Sequence, residues 1–407
     1  MPSTLSGVSP QSVPRSRRIL MVAPEPIFEP RGTPLSVVGR LKALSDLGYA
    51  VDLLTYSMGA PIAFPRLRID RIPAVPGVRT VKIGPSLQKI PLDALLAVKT
   101  FLRLAQTRYG LLYTHEEAGF WGALLSRCFR VAHLYDMHSS LPQQLENFRF
   151  TRSALLIHLF RFLERTVLRT AQAVIVICPE LKAHADAVVS RPNPVLIENV
   201  VDYGMVFGGE NRSAEVRKTL GLGDRRVVVY TGTFEPYQGL DLLIRSAPAV
   251  AKAVPSAMFL LVGGRPDQVD RFRRSVRRNR LEAHFHFTGQ VPPASAADYI
   301  RCADVLVSPR TAGNNTPLKI YTYLRSGVPI VATRLPTHTQ VLDDRVAILS
   351  EPDPASFARG IIAALTDAPR AGSLGRNARA LAETRYGYGA YRSRLGRVIR
   401  AALGRGR

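Results

Sequence analysis

The chain has 407 residues, more than one hydrophobic core usually supports, so two domains are expected. With 46% hydrophobic and 21% charged residues it reads as an ordinary globular protein, which excludes a disordered or coiled-coil chain. Its 55 lysines and arginines against 31 acidic residues leave a net charge of +24, an excess that suits nucleic acid, anionic lipid headgroups or phosphorylated substrates alike.

Residues 1–17 read as a loose tail, because the first eighteen residues end in Arg15, Arg17 and Arg18 but lack the apolar stretch that a secretory signal has before its cleavage site. A first domain is expected over 18–200. Arg18 to Ala23 is a buried-type strand, the turn-rich APEPIFEPRGTP follows, and the amphipathic run Leu35 to Leu47 predicts a helix closed by Gly48. A strand at Ala50 to Thr55 completes a strand-helix-strand unit. Further strands at Thr80 to Ile83, Gly110 to Thr114, Val131 to Tyr135 and Ala173 to Cys178 alternate with helical patterns, as in a doubly wound sheet. Two amphipathic stretches, Leu87 to Leu104 and Ser153 to Leu168, are interrupted by Lys99, Arg103, Arg161, Glu164 and Arg165 and are too short to span a bilayer. Cys128, Cys178 and Cys302 lie far apart beside apolar neighbours, without metal-ligand or redox spacing, so core thiols in a reducing compartment are expected.

The segment ENVVDYGMVFGGENR suits a hinge. A second domain is expected over 201–385, where the same grammar restarts with a strand at Arg226 to Tyr230, the turn TGTFEPYQGLDLL and a helix to about Ala253. Strands follow at Ala257 to Val262, His284 to Phe287, Asp304 to Val307, Pro329 to Ala332 and Val346 to Leu349. Residues 386–407 are expected to form a helix crossing back to the first domain. The fold class is therefore α/β, with two Rossmann-like doubly wound parallel-sheet domains expected to face each other across a cleft, where the loops after the strands would hold ligand.

Between Ser308 and Thr333 a strand runs through a small-residue loop into a helix beginning near Pro317, a residue tolerated in the first helical turn. The amides of Asn315 and Thr316, the Thr316 hydroxyl and the helix dipole would hold a diphosphate. Lys319, one turn inside, would stabilise a departing nucleoside diphosphate, and Arg310 adds charge from the same loop.

Five segments in order, RILMVAPEPIFEPRGTPLSVVGRLKALSDLGYAVDLLT, LYDMHSSLP, ENVVD, TGTFEPYQGLDLL and SPRTAGNNTPLKIYTYLRSGVPIVAT, resemble the retaining glycosyltransferases of the two-Rossmann GT-B fold, family four, also called glycosyl transferases group one. The resemblance runs from Ile19 to about Tyr391. It implies transfer of a hexose from a nucleotide diphosphate sugar to a glycan or lipid-linked acceptor, with retention and without metal. The nucleotide sugar is then a co-substrate, and no cofactor is expected. His138 matches the family's histidine facing the reacting sugar, and its imidazole can donate to or accept from a hydroxyl. Asp136 beside it would orient the acceptor or cap the loop. Gly32 and Thr33 match the first-domain glycine loop, and Gly232 its counterpart on the other domain. Glu116, with Glu25, Glu29 and His115, would line the acceptor rim.

Donor binding is expected, from the loop chemistry and the resemblance together, at Gly232, Thr233, Gln238, Arg310, Asn314, Asn315, Thr316, Pro317, Leu318 and Thr322. The chain departs from the family pattern at four of these. Asn314 and Thr322 stand where two glutamates eight apart are usual, and a threonine gives up the charge-assisted bond of a carboxylate. Thr233 and Gln238 stand where an arginine and a lysine usually clamp phosphate. These departures motivate a second reading, a nucleotide-sugar-binding or scaffold protein without turnover. No Asp-x-Asp and no clustered His and Cys point to a metal. No nucleic-acid recognition motif accompanies the charge. The expected location is cytoplasmic, at the inner face of an anionic membrane.

Overall fold

The computed structural model describes residues 14–27, 32–78, 80–81, 86–147, 153–190, 194–200, 210–292, 295–313 and 315–405. The chain divides into two compact units. Unit 1 holds the first strand, Thr33–Glu198 and the chain from Tyr391 on; unit 2 runs over Asn199–Ala390.

In unit 1 the strands are β1 (Arg18–Ala23), β2 (Ala50–Thr55), β3 (Leu67–Arg71), β4 (Leu111–His115), β5 (Ala132–Met137), β6 (Ala173–Val176) and β7 (Val195–Leu196). They form one parallel sheet in the order β3-β2-β1-β4-β5-β6-β7. The helices are α1 (Gly32–Asp46), α2 (Lys89–Gln106), α3 (Ala118–Cys128), α4 (Leu141–Asn147), α5 (Ala154–Thr170) and α6 (Pro179–Val188). β4 and β5 are buried along their whole length, as a parallel sheet covered on both faces requires.

Unit 2 repeats the plan. Its helices are α7 (Ser213–Thr219), α8 (Leu240–Ala253), α9 (Pro266–Arg278), α10 (Ala296–Arg301), α11 (Leu318–Ser326), α12 (Pro336–Thr339), α13 (Pro354–Thr366) and α14 (Ala368–Arg385). They pack on strands β8 (Arg226–Thr231), β9 (Ala257–Val262), β10 (Phe285–Gly289), β11 (Val305–Ser308), β12 (Ile330–Thr333) and β13 (Ile348–Ser350). The parallel order is β10-β9-β8-β11-β12-β13. One apolar core lies on each face, around Phe234, Phe259 and Phe272 on one side and Tyr323, Ile330 and Leu342 on the other.

The last helix, α15 (Tyr388–Arg405), belongs with unit 1 from Tyr391 onward. Tyr391 lies under the Arg40 guanidinium of α1, and Leu403 packs against Gly110. In both sheets the strand order reverses once, between β1 and β4 and between β8 and β11, and such switch points are where open α/β sheets bind ligands.

Several expectations need correction. The strand β3 was not expected, and of the strand expected at Thr80 to Ile83 the described residues, Thr80 and Val81, are irregular, while Lys82 and Ile83 lie outside the described residues. Cys128 is exposed, unlike buried Cys178 and Cys302. Pro317 caps α11 in an extended conformation and is not its first residue. The expected hinge falls largely on 201–209, outside the described residues.

Candidate functional site

In unit 2 the loops after β8 and β11 converge. β8 ends at Thr231 and continues into Gly232 at φ 137°, a conformation open to glycine. A Cβ there would stand 3.1 Å from the Lys319 ammonium, so the missing side chain leaves room for that lysine. Gly239, at φ 74°, meets the Pro309 carbonyl so closely that a Cβ would lie 1.8 Å from its oxygen. That contact ties the turn carrying Gln238 to the loop carrying Arg310.

Lys319, on the first turn of α11, keeps part of its surface exposed, but its ammonium is enclosed. It lies 3.7 Å over the centre of the Tyr230 ring and donates to Gln238 Oε1 at 3.3 Å. Burial, and then the Arg310 cation, hold this ammonium well below the ordinary lysine range. Arg310 is buried too. Its Nη1 donates to the Asn315 carbonyl and to the Thr337 hydroxyl, each at 2.6 Å, its guanidinium stacks on Tyr237, and its Nε has no partner. The Thr316 hydroxyl is also buried without a partner. Among the described residues neither cation meets a carboxylate. An enclosed lysine and a buried guanidinium, with an N–H and a hydroxyl that have no protein partner, form a cradle suited to an anion at a helix N-terminus.

Thr233 gives its carbonyl to the Tyr230 hydroxyl at 2.6 Å, Pro317 and Thr322 are buried, and Leu318 opens α11. Asn314 lies outside the described residues.

In unit 1 the ends of β4 and β5 carry His115, Glu116, Asp136 and His138. Asp136 is fully buried; its Oδ2 accepts from Arg40 Nε at 2.8 Å and from the Tyr113 hydroxyl at 2.6 Å. Burial by itself would raise this carboxyl, but Arg40 and then His138 overcome it and hold it well below the usual carboxylate range. His138 Nε2 lies 3.4 Å from Asp136 Oδ1 and 3.1 Å from His115 Nδ1. Burial pushes the His115 imidazole down to about 3, so it is neutral at physiological pH. Asp136 is thus spent inside the unit, orienting the two imidazoles.

The fold brings together two histidines and an aspartate that are not clustered in the sequence. Ligand-type atoms of His115, Asp136 and His138 gather within 4.8 Å of one another. The buried guanidinium on the same carboxylate opposes a divalent cation there, and the atoms read as a hydrogen-bond chain.

Glu116 takes φ 46°, a left-handed conformation rare outside glycine. Its Oε2 accepts from Ser139 at 2.8 Å, while burial and then the Glu117 charge push its carboxyl well up. Glu25 is buried beyond β1. Gly32 is exposed with open space around it, and Thr33 is half-buried on the same turn. Glu29 lies outside the described residues.

Sequence reasoning missed Arg40 and Tyr113. Arg40 had a signal: it occupies an apolar position on the buried face of α1, with Val37, Leu41 and Leu44. Tyr113, inside a buried strand, had none.

Two parallel doubly wound units with ligand-type loops at their switch points define the GT-B class of fold. Sucrose-phosphate synthase from Thermosynechococcus elongatus shares it, with a TM-score of 0.77 at 22% identity over 94% of this chain and 98% of that one. A "Glycosyl transferase 4-like domain" model matches residues 33–199, and a "Glycosyl transferases group 1" model matches 225–367. The chain belongs to the group 1 glycosyl transferases. It is 33% identical over 148 residues to the phosphatidyl-myo-inositol mannosyltransferase of Mycobacterium tuberculosis, a match covering 34% of this chain and only 38% of that protein's length. It is 24% identical over 399 residues to the protein of the same description in Mycolicibacterium smegmatis, over 96% of this chain and 95% of that one.

Proposed function

We propose that this protein transfers a hexose from a nucleotide diphosphate sugar to a hydroxyl of a glycan or lipid-linked acceptor, with retention and without metal. The observation that carries this reading is the enclosed Lys319 side chain beside the buried Arg310 guanidinium at the N-terminus of α11, an arrangement whose charge a diphosphate would match. The bond from the anomeric carbon to the diphosphate oxygen breaks while the acceptor oxygen bonds that carbon on the same face. The acceptor proton passes to the departing phosphate oxygen. The positive charge of Lys319 and Arg310 replaces that of a divalent cation on the leaving group. His138, turned by Asp136 and His115, is the group of unit 1 suited to hydrogen-bond a sugar hydroxyl. The names of the mannosyltransferase relatives support a lipid-linked acceptor.

The working location is the cytoplasmic face of an anionic membrane. The +24 charge and the apolar side chains exposed on α2 (Ile90, Val98, Phe101) and α5 (Leu155, Phe162) support it. No described helix is long and apolar enough to cross a membrane.

The test is a panel of UDP-, GDP- and ADP-sugars, with thermal shift for binding and nucleoside diphosphate release for turnover. Binding of one donor with release that depends on acceptor is expected. Binding without release would leave a nucleotide-sugar-binding protein, and neither would overturn the reading.

A further inference from the structure

Unit 1 also holds a cavity whose lining side chains have been given no role above. It measures about 440 Å³ and is lined by Ser140 and Gln143 around α4, Arg161, Glu164 and Arg165 of α5, and His184 of α6. Glu164 is only 4% exposed. Its Oε1 accepts from His184 Nε2 at 2.8 Å and from the Ser140 hydroxyl at 3.3 Å, and Gln143 donates to the other imidazole nitrogen at 3.2 Å. Its Oε2 has no partner. A buried carboxylate oxygen without a protein donor, on the wall of a cavity, can accept from a ligand or a water that enters it.

The outer surface of α5 indicates the kind of ligand. Successive helical residues are about 100° apart, so Leu155, Leu159 and Phe162 form one stripe; they are 82%, 49% and 66% exposed. Arg161 and Arg165, four apart, form the next stripe, and Glu164 comes next round the helix towards the cavity. An apolar row, a pair of guanidinium groups and a hydroxyl-seeking carboxylate therefore follow one another in the order of a lipid's acyl chain, phosphate and polar headgroup. Guanidinium is the side chain best matched to a phosphate, and the apolar row beside it has no use for a soluble phosphorylated metabolite.

We propose that the cavity between α4, α5 and α6 binds the phosphodiester headgroup of a membrane lipid, with the phosphate on Arg161 and Arg165 and a headgroup hydroxyl donating to Glu164. This rests on the reading that the protein meets a membrane surface, and adds a defined lipid site to it.

Short-chain lipids below their micelle concentration test the site without any membrane. Dihexanoylphosphatidylglycerol, dihexanoylphosphatidylcholine and inorganic phosphate are titrated calorimetrically into the full chain. Phosphatidylglycerol should bind at least tenfold more tightly than phosphatidylcholine, whose headgroup has no hydroxyl, and than inorganic phosphate. The double variant Arg161→Gln/Arg165→Gln should weaken it at least tenfold. Glu164→Gln is isosteric: with its carbonyl kept towards His184 and Ser140, its amide group turns a donor into the cavity. The preference for phosphatidylglycerol over phosphatidylcholine should then fall below threefold, with the melting temperature confirming a folded variant. Equal affinity for all three ligands, inorganic phosphate binding as tightly as the lipid, or a Glu164→Gln protein with unchanged preference would each overturn the proposal. Flotation on anionic vesicles is read separately, so a protein that floats but ignores the short-chain lipid keeps the membrane reading and loses this site.

Discussion

The ammonium of Lys319 stands 3.3 Å from Oε1 of Gln238, a residue 81 positions away that occupies a place where the family usually has a phosphate-clamping cation. A lysine at Gln238 would face Lys319 as a second enclosed cation. The glutamine instead accepts from it, and the second positive charge comes from Arg310.

If Lys319 stabilises the departing diphosphate, Lys319→Ala should lower turnover by about a hundredfold or more, the usual loss on removing one charge-stabilising group. Release of nucleoside diphosphate under saturating donor measures it. Folding should hold, because an enclosed cation without a carboxylate partner contributes little to stability. Near-normal turnover would remove Lys319 from the mechanism.

Diphosphate binding should draw in protons. The Lys319 ammonium is held well below its ordinary value by burial and by Arg310, and an anion in the cradle would raise it again. The complex then binds more protons than the free protein, so affinity should weaken as pH rises through the depressed value of the free lysine. Calorimetry in two buffers of different ionisation enthalpy reads this uptake directly. Identical heats in both buffers would contradict it.

Breaking the fully buried Arg40–Asp136 pair should be costly, because one charge is left uncompensated in the interior. Arg40→Met is expected to destabilise unit 1 by about 3–5 kcal/mol, and Arg40→Met/Asp136→Asn should recover most of that loss. Trp121, the single tryptophan and a residue of unit 1, reports denaturant unfolding of that unit by fluorescence. Additive losses in the double variant would show that the pair does not act as a pair.

The pH dependence of unit 1 follows from opposed groups. Burial lowers His115 and His133 from 6.5 to about 3, so the unfolded chain takes up their protons first and stability falls as pH drops below about 6.5. Burial raises Asp93 to about 7 and pushes Glu116 up as well, so the folded chain holds those two protons while the unfolded chain does not, until pH nears 4. The two effects oppose each other between about pH 6.5 and 4.5. Below about 4 the carboxyls are protonated in both states, the histidine contribution stands alone, and the depressed Asp136 adds to it. Trp121 unfolding midpoints should therefore change little down to about pH 4.5 and fall steeply beneath it. A steady decline from pH 7 would show that Asp93 and Glu116 do not hold their protons.

The sequence alone determined what depends on neighbours along the chain. β9 is AMFLLV, an uninterrupted apolar run buried on both faces, and β2 is apolar but for Asp52 and Thr55; both lie over the residues expected of them, Ala257–Val262 and Ala50–Thr55. The loop entering α11, with Lys319 on the first turn, is equally local, since a proline and small residues before an apolar helix carry its signal. β3 escaped because LRIDR is a half-exposed edge strand that needs no apolar run, and β7 because two residues carry no period. What the side chains do was decided by tertiary structure. Gln238, Arg310 and Lys319 come together only because β8 and β11 are neighbours in the sheet, and Asp136 meets Arg40 across 96 residues only because α1 packs against the end of β5. Sequence spacing reports which face of an element a residue occupies. The partner that sets its charge and hydrogen bonding lies on another element, and the order of strands in the sheet chooses it.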